Sequence, residues 1–525
     1  MSDEGAEGGG RKTDEEDRAA VRRLPSAVSV LPDCPTARLP DSRPGRAALA
    51  GVLALGAAAE LLYALAFVRP YPLTRYVAQP LLDLGKIGGY DPGAGLRYTV
   101  PLALVWACYL GAGFLAWRLR RALPALAFGG AAAFGLTLLW LYPITAADIF
   151  NYVLYGLVQH RGANPLAVPP RAVIGQPLLG FSAWPDHPSP YGPVWQWLAY
   201  AVTAVTGERL LAGLLAFKGA LLACHLANVG LVRRVAADAG MARPWHAALL
   251  YAWNPLVLYE TAGNGHNDVV MLTLVLLGLV ALAGQPAGRW AALVGGTLAA
   301  LVKYVAALWL PVLLVGVWHA GRGGRRLARA AAGLAAGAAL AVALYAPFWD
   351  GGAALTGVRR QADLYTTSFG ALALLALPDR LPAVAPATLL DACKAAAAAC
   401  VALAFLWHWR RMRDTREVVD ALFDVLLVYL LTGALWFQPW YVVPLAGLAA
   451  LTGAARRLVA LVFALGAMGS YVVYFYVWPA LDWTPDRLLI QEIAVAVTYG
   501  PVLLVLAGLL LAAFAHPGRR GSRLP

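Results

Sequence analysis

Of the 525 residues, 60% are hydrophobic and only 14% are charged, which excludes a water-soluble domain over most of the length, because such a domain needs a half-polar surface. The formal net charge of +13 does not point to nucleic acid, since the basic residues gather at the edges of apolar runs. The five cysteines are scattered without CxxC or His-Cys spacing, so neither a disulfide framework nor a zinc site is indicated.

Residues 1–45 open with acids and have no apolar core, which reads as a disordered cytosolic tail and not as a cleaved signal peptide. From Ala47 almost to the C terminus, apolar runs recur with short polar interruptions, and about 20 such residues cross a bilayer. Lipid offers no partner for open backbone groups and the Leu/Ala/Val-rich runs are too long for barrel strands, so the spans are helical. The expected fold is all-α, a polytopic integral membrane bundle over 46–515 followed by a cytosolic tail at 516–525.

Arginines cluster at Arg118, Arg120 and Arg121, at Arg233, Arg234 and Arg243, and at Arg322, Arg325, Arg326 and Arg329. Further clusters fall at Arg410, Arg411, Arg413 and Arg416, at Arg456 and Arg457, and at Arg519, Arg520 and Arg523. The cytosolic bias of Lys and Arg in short loops places all of these inside. One alternating path then has spans near 47–68, 98–117, 122–142, 210–232, 246–262, 268–284, 290–303, 304–318, 327–347, 386–408, 419–436, 441–454, 458–478 and 489–514. That makes about fourteen spans with both termini cytosolic. In this path 290–318 is a hairpin turning at Lys303 and Tyr304 on the outer side. Segment 193–206 is an interfacial helix carrying Trp195 and Trp197, because a span there would turn Arg233 and Arg234 outward. The long loops 143–209 and 348–385 face the outside together, and long ordered loops in compact proteins are often functional.

The first long loop begins YPITAADIFNYVLYG. On a helix, Asp148, Asn151, Tyr152 and Tyr155 share one face just past the end of a span. A partly desolvated carboxylate there is suited to take a proton from an acceptor hydroxyl; the plainer alternative is a solvated Asp opening an amphipathic helix. Downstream, Asn164, His187 and Tyr191 stand in proline-rich stretches that lack regular hydrogen bonding and can order polar and aromatic groups over a membrane. A rigid lid is the alternative there.

The turn between two later spans packs Glu260, Thr261, Asn264, His266, Asn267 and Asp268 into nine positions. Capping of the next helix by Asn267 or Asp268 would explain part of this density. Lys303, Arg359 and Arg360 supply cations able to pair a lipid phosphate, or the two arginines snorkel to headgroups. Gln438, Trp440 and Tyr441, beside Trp436, supply a polar group and aromatics that suit a sugar ring or an interfacial belt. Within the spans, Glu60, Lys218, His225, Asp391, Lys394 and Asp424 must face the interior, as a proton path or as structural pairs. Asp391 and Lys394 stand at helical i,i+3 spacing.

The ordered set AADIFNYVLYG, HRGANPLAVPP, SPYGPVW, WNPLVLYETAGNGHND and FQPWYVVPLAGL resembles the GT-C glycosyltransferases. Within these it is similar to the polyprenol-phosphate-mannose-dependent α-mannosyltransferases of actinobacterial lipoglycan synthesis, over roughly residues 100–450. The resemblance implies a GT-C-type bundle in the plasma membrane of a prokaryote. It implies transfer of a hexose, mannose foremost, from a polyprenyl-phosphate sugar to a lipid-linked or cell-envelope glycan at the outer face, with inversion at the donor. It also implies that Asp148 is the general base, with Asn151, Tyr152 and Tyr155 following on the site helix, and that the GNGHND and FQPWY segments border the cavity. Many GT-C enzymes carry paired acids in this loop, whereas Ala147 precedes Asp148 here, which puts a two-carboxylate or metal-bridged mechanism in doubt. A lipid-phosphate donor has no diphosphate to neutralise, so no metal or other cofactor is expected, and the partners are membrane lipids, the donor and a glycan acceptor. A transporter or flippase of lipid-linked saccharides is the rival reading, and it predicts coupling residues at mid-bilayer in place of an outer-loop carboxylate.

Overall fold

The structure, a computed structural model, describes residues 43–79, 81–321 and 323–515. Nearly all of the two terminal tails therefore lies outside the described residues, and the first helix, Arg43–Leu62, already begins inside the stretch assigned to the N-terminal tail. Among the described residues the fold is helical, with only two isolated bridges, Pro72 to Leu141 and Thr366 to Trp436. Helix starts follow local chemistry. Asp91 precedes Pro92 and accepts from the Ala94 amide at 2.9 Å, and Asn254 precedes Pro255 and accepts from the Leu256 and Val257 amides. Each caps open amides while proline fills a position that needs no donor.

The expected fourteen spans are not what the structure contains. Seven helices among the described residues are long and apolar enough to cross a membrane: Gly45–Val68, Pro92–Ala116, Leu210–Asp238, Arg325–Phe348, Pro386–Trp409, Ala454–Ala480 and Arg487–Ala515. An eighth results if Pro255–Gly263 and Asp268–Ala283, which meet at 116°, count as one broken span. The reason for the difference is that continuous apolar sequence does not guarantee continuous helix. The run at 290–318 divides into Ala291–Ala300, an extended Lys303, the tight turns of Tyr304–Trp309 and then Leu310–His319. The run at 441–454 keeps only Val442–Ala449 as regular helix. At 1.5 Å per residue, eight to ten residues reach about half of a 30 Å hydrocarbon core or less. Thr415–Thr432 is longer, but it carries Arg416, Glu417, Asp420 and Asp424.

The expected turn at Lys303 and Tyr304 is present, and it docks on the first long loop, with the Gly192 and Val194 amides donating to Val302 and Leu301 at 3.1 Å. Segment 193–206 forms one helix, Pro193–Thr206, of 14 residues. It packs on Asp148–His160 and Leu210–Asp238 and buries Trp195 while Trp197 stays exposed.

Most of the charged groups in apolar helices find partners within the protein, although one Glu60 oxygen is buried without one. Lys218 donates to the carbonyls of Leu139 and Leu141, and the His225 ring bonds the Tyr251 hydroxyl and the Ala252 carbonyl, both at 3.1 Å. Glu60 accepts from Thr137. Lys394 pairs with Asp363 at 2.8 Å, so the i,i+3 pair with Asp391 does not form: the lysine reaches out of its helix to a loop.

Candidate active site

Asp148 is the first residue of helix Asp148–His160, and Ala147, which has no side chain to cap with, holds the N-cap position. The carboxylate is thereby free of capping duty. Its Oδ2 accepts instead from the Tyr191 hydroxyl at 2.9 Å, and Tyr191 in turn receives the Tyr152 hydroxyl at 3.4 Å. Tyr152 is fully buried among Tyr191, Trp195 and Phe217. The helical spacing thus splits the expected face into two jobs, with Asp148 presented to the cavity and Tyr152 fixing its partner from behind. Asn151 and Tyr155 hold the overlying loop: Asn151 Nδ2 donates to Ser182 Oγ at 3.2 Å, its Oδ1 accepts from the Ala183 amide at 3.2 Å, and the Tyr155 hydroxyl donates to the His187 carbonyl at 3.1 Å.

The polar turn meets Asp148 from the other side. Gly265 takes φ +83°, and a Cβ there would overlap Ile149 of the site helix, so glycine serves both the left-handed backbone and the close approach. This docks the His266 ring between two carboxylates, with Nδ1 3.8 Å from Asp148 Oδ2 and Nε2 3.5 Å from Glu260 Oε2. The ring stacks on Trp440 at 3.8 Å between centroids and 12° between planes. Glu260 is fully buried and accepts from the Tyr471 hydroxyl and Asn264 Nδ2, each at 2.9 Å. Asn264 also donates to Thr145 at 2.7 Å. Capping does not account for this turn, because the Asn267 side chain makes no cap bond and Asp268 spends both oxygens on Lys303 Nζ at 2.9 Å. The same ammonium lies 4.3 Å from the centre of the Tyr441 ring.

These groups surround a cavity of about 520 Å³, within the range of small-molecule sites. Asp148, Asn151, Tyr155, His187 and Tyr191 line it from the first long loop. Asp268, Lys303, Gln438, Trp440 and Tyr441 line it from the later segments. Tyr152, Asn264, His266 and Asn267 are buried behind that lining. Asn164 is not at the cavity: its Nδ2 donates to the Phe348 carbonyl at 2.7 Å and to Asp350 at 3.3 Å, tying the two long loops together.

Arg359 and Arg360 also stay outside the lining, and Arg360 donates to the Asp186 carbonyl at 3.1 Å on the exposed side. On the short helix Thr356–Gln361, Gly357 presses against the Ser189 carbonyl, which turns Gly357, Val358 and Gln361 to the cavity and the two arginines away. Sequence reasoning missed Trp184, Tyr304, Gln361, Tyr429 and Lys394 as lining residues. Gln361 and Tyr304 stand beside residues that were singled out, whereas nothing local marks Tyr429.

Burial raises the affinity of Asp148 for its proton, and the Tyr191 bond and the nearby Lys303 charge act against it, leaving the carboxyl above its usual range. Its side chain remains 18% accessible, so a hydroxyl can reach it. The Tyr191 hydroxyl, desolvated and beside that carboxylate, is held protonated and therefore stays a donor. Among the described residues no group of three or more His, Cys, Asp or Glu is placed to hold a metal ion. A raised-pKa carboxylate beside a cation and aromatics around one pocket is an arrangement able to take a proton from a bound hydroxyl.

Residues 53–320 match the family model described as alpha-(1->6)-mannopyranosyltransferase, N-terminal domain. The chain is 29% identical over 464 residues to the alpha-(1->6)-mannopyranosyltransferase A of Mycobacterium tuberculosis, covering 78% of this chain and 86% of that protein. It is similar to the alpha-(1->6)-mannopyranosyltransferase B of Corynebacterium glutamicum, 26% identical over 394 residues and 64% of each chain. The alpha-(1->6)-mannopyranosyltransferase A of the same organism is 29% identical over 185 residues, 35% of this chain and 37% of that protein. Since the matched half runs from the first span through the site helix, the polar turn and Lys303, the chain belongs to the alpha-(1->6)-mannopyranosyltransferase family.

Proposed function

We propose that this membrane mannosyltransferase takes mannose from a polyprenyl-phosphate donor and joins it in α-(1→6) linkage to a lipid-linked or cell-envelope mannan at the outer face. The observation that carries the reading is that Asp148 and Lys303 line the same cavity. The acceptor hydroxyl oxygen attacks the anomeric carbon as its proton passes to Asp148. The bond from that carbon to the phosphate oxygen breaks, and the polyprenyl phosphate leaves with the electron pair. Attack opposite the leaving group inverts the anomeric centre. Lys303, held against Asp268 and Tyr441, faces the departing phosphate charge, with Lys394 as a second cation on the wall.

Trp184 and Trp436 offer faces for sugar rings. The donor's long apolar chain stays in lipid while its head enters the cavity. A monophosphate leaving group is served by a lysine without a metal ion, so the reaction is metal-independent. The outer-face assignment is supported by the segregation of the cavity from the arginine clusters that favour the cytosol.

The test is transfer by the purified full chain in a chelator, with a short mannan acceptor and linkage analysis of the product. Transfer from polyprenyl-phosphate mannose giving a 1,6 bond is expected. Transfer only from a nucleotide sugar, or only with a divalent metal, would overturn the proposal.

A further inference from the structure

Helix Pro92–Ala116 connects the catalytic region to a second cavity. Near its start the Tyr98 hydroxyl donates to the Tyr259 hydroxyl at 3.3 Å, next to Glu260 of the polar turn. Just past its end, Trp117 and Arg118 line a separate cavity of about 600 Å³. A helix of 25 residues extends about 37 Å, so the two cavities lie toward opposite ends of the bundle.

The second cavity has an apolar flank and two cations without a carboxylate partner among the described residues, one of which, Arg118, lies over the Phe114 ring at 4.9 Å. Leu110, Phe114, Trp117 and Leu458 line it and are exposed on the protein surface, where a bilayer would cover them. Most of its polar groups are already engaged. The Tyr109 hydroxyl donates to the Leu250 carbonyl at 2.9 Å, His246 Nε2 meets the Gly113 carbonyl at 2.9 Å, and Asn254 Oδ1 caps a helix. Arg118 and Arg457 are different. Neither has a carboxylate partner among the described residues, and Arg457 Nε is buried without any hydrogen bond. The adjacent Arg456 shows the contrast, since it holds both Asp420 and Asp424. No acid lines the cavity, and Arg243, bonded to the Trp117 carbonyl and set over its ring at 4.3 Å, adds positive charge at the rim.

We infer that this cavity binds an anionic glycerophospholipid, whose phosphate takes the Arg118 and Arg457 guanidiniums and whose acyl chains lie along Leu110, Phe114 and Leu458. A phosphodiester matches the planar fork of arginine, and a buried guanidinium N–H without a partner is costly until such an acceptor arrives. The apolar flank selects a lipid over a soluble phosphate, and the absence of acids in the lining selects an anionic over a zwitterionic headgroup.

The test is native mass spectrometry of the full chain purified in detergent, with phosphatidylglycerol and phosphatidylcholine added in competition. Retention of phosphatidylglycerol about tenfold over phosphatidylcholine is expected, falling to parity in the Arg118→Gln/Arg457→Gln double variant. The exposed Arg118→Gln alone should lose part of the preference, and an unchanged melting temperature in its lipid-free form shows that folding is not the cause. Equal retention of the two lipids by the wild type would overturn the site. So would an equal loss in Arg325→Gln, an exposed arginine elsewhere, or displacement of the lipid by excess inorganic phosphate.

Discussion

Arg456 holds Asp424 through two bonds at 2.8 and 2.7 Å and reaches Asp420 at 3.2 Å, while His408 adds a contact to Asp424 at 2.8 Å. Around the polar turn the balance is different: among the described residues Asp148 and Glu260 flank His266, while Asp268 holds Lys303. The His266 ring sits between the first two acids with neither nitrogen in a hydrogen bond, and the Asn267 amide is buried without a partner. A buried charge kept only for stability needs an opposite charge or hydrogen bonds around it, because an uncompensated one costs several kcal/mol. An excess of acid with open polar atoms beside a cavity is the arrangement expected where stability is given up for chemistry. Under the proposed mechanism, the comparison sets a structural cluster against a reactive one within one bundle.

The comparison breaks if the two clusters respond alike to loss of a charge. The largest effect is expected for Asp148→Asn, whose transfer rate should fall by about 10³-fold with a melting temperature close to wild type. Next is Lys303→Gln, expected to lower kcat by about 10²-fold through loss of the phosphate cation. That variant also leaves Asp268 without its partner, so a calorimetric scan should show lost stability as well. Asp424→Asn should do the reverse, lowering stability by about 1–3 kcal/mol while transfer per folded molecule stays within about twofold. The smallest effect belongs to Tyr191→Phe. Its hydroxyl favours the ionised carboxylate, so removing it raises the Asp148 pKa further, and the acid limb of the pH–rate profile should move to higher pH with a modest loss of rate.

Hydrophobic run length and helical spacing made much of this visible in the sequence. Asp148, Asn151 and Tyr155 on one helix face, the polar turn at 260–268 and the break at Lys303 appear where spacing and polarity put them, while Tyr152 sits behind the cavity wall. What spacing could not supply was the outcome of contacts between distant segments. Arg359 and Arg360 read as phosphate cations because they are charged and lie in a long loop, yet Gly357 docking on Ser189 rotates them away and turns Gln361 inward. The count of spans failed for a related reason. The apolar stretches at 246–262 and 290–318 are as greasy as true spans, but Asn254, the extended Lys303 and the π-turn at Tyr259–Gly263 break them to build the wall of the site.

The central claim is that Asp148 accepts the proton of the attacking hydroxyl, and the pH dependence of kcat/KM tests it most directly. A base works only when ionised, so wild-type activity should fall as pH drops through the Asp148 pKa, and burial places that limb above the ordinary carboxylate range. The residual activity of Asp148→Asn should lack the limb. An acid limb that persists unchanged in Asp148→Asn would contradict the account and assign the proton to another group.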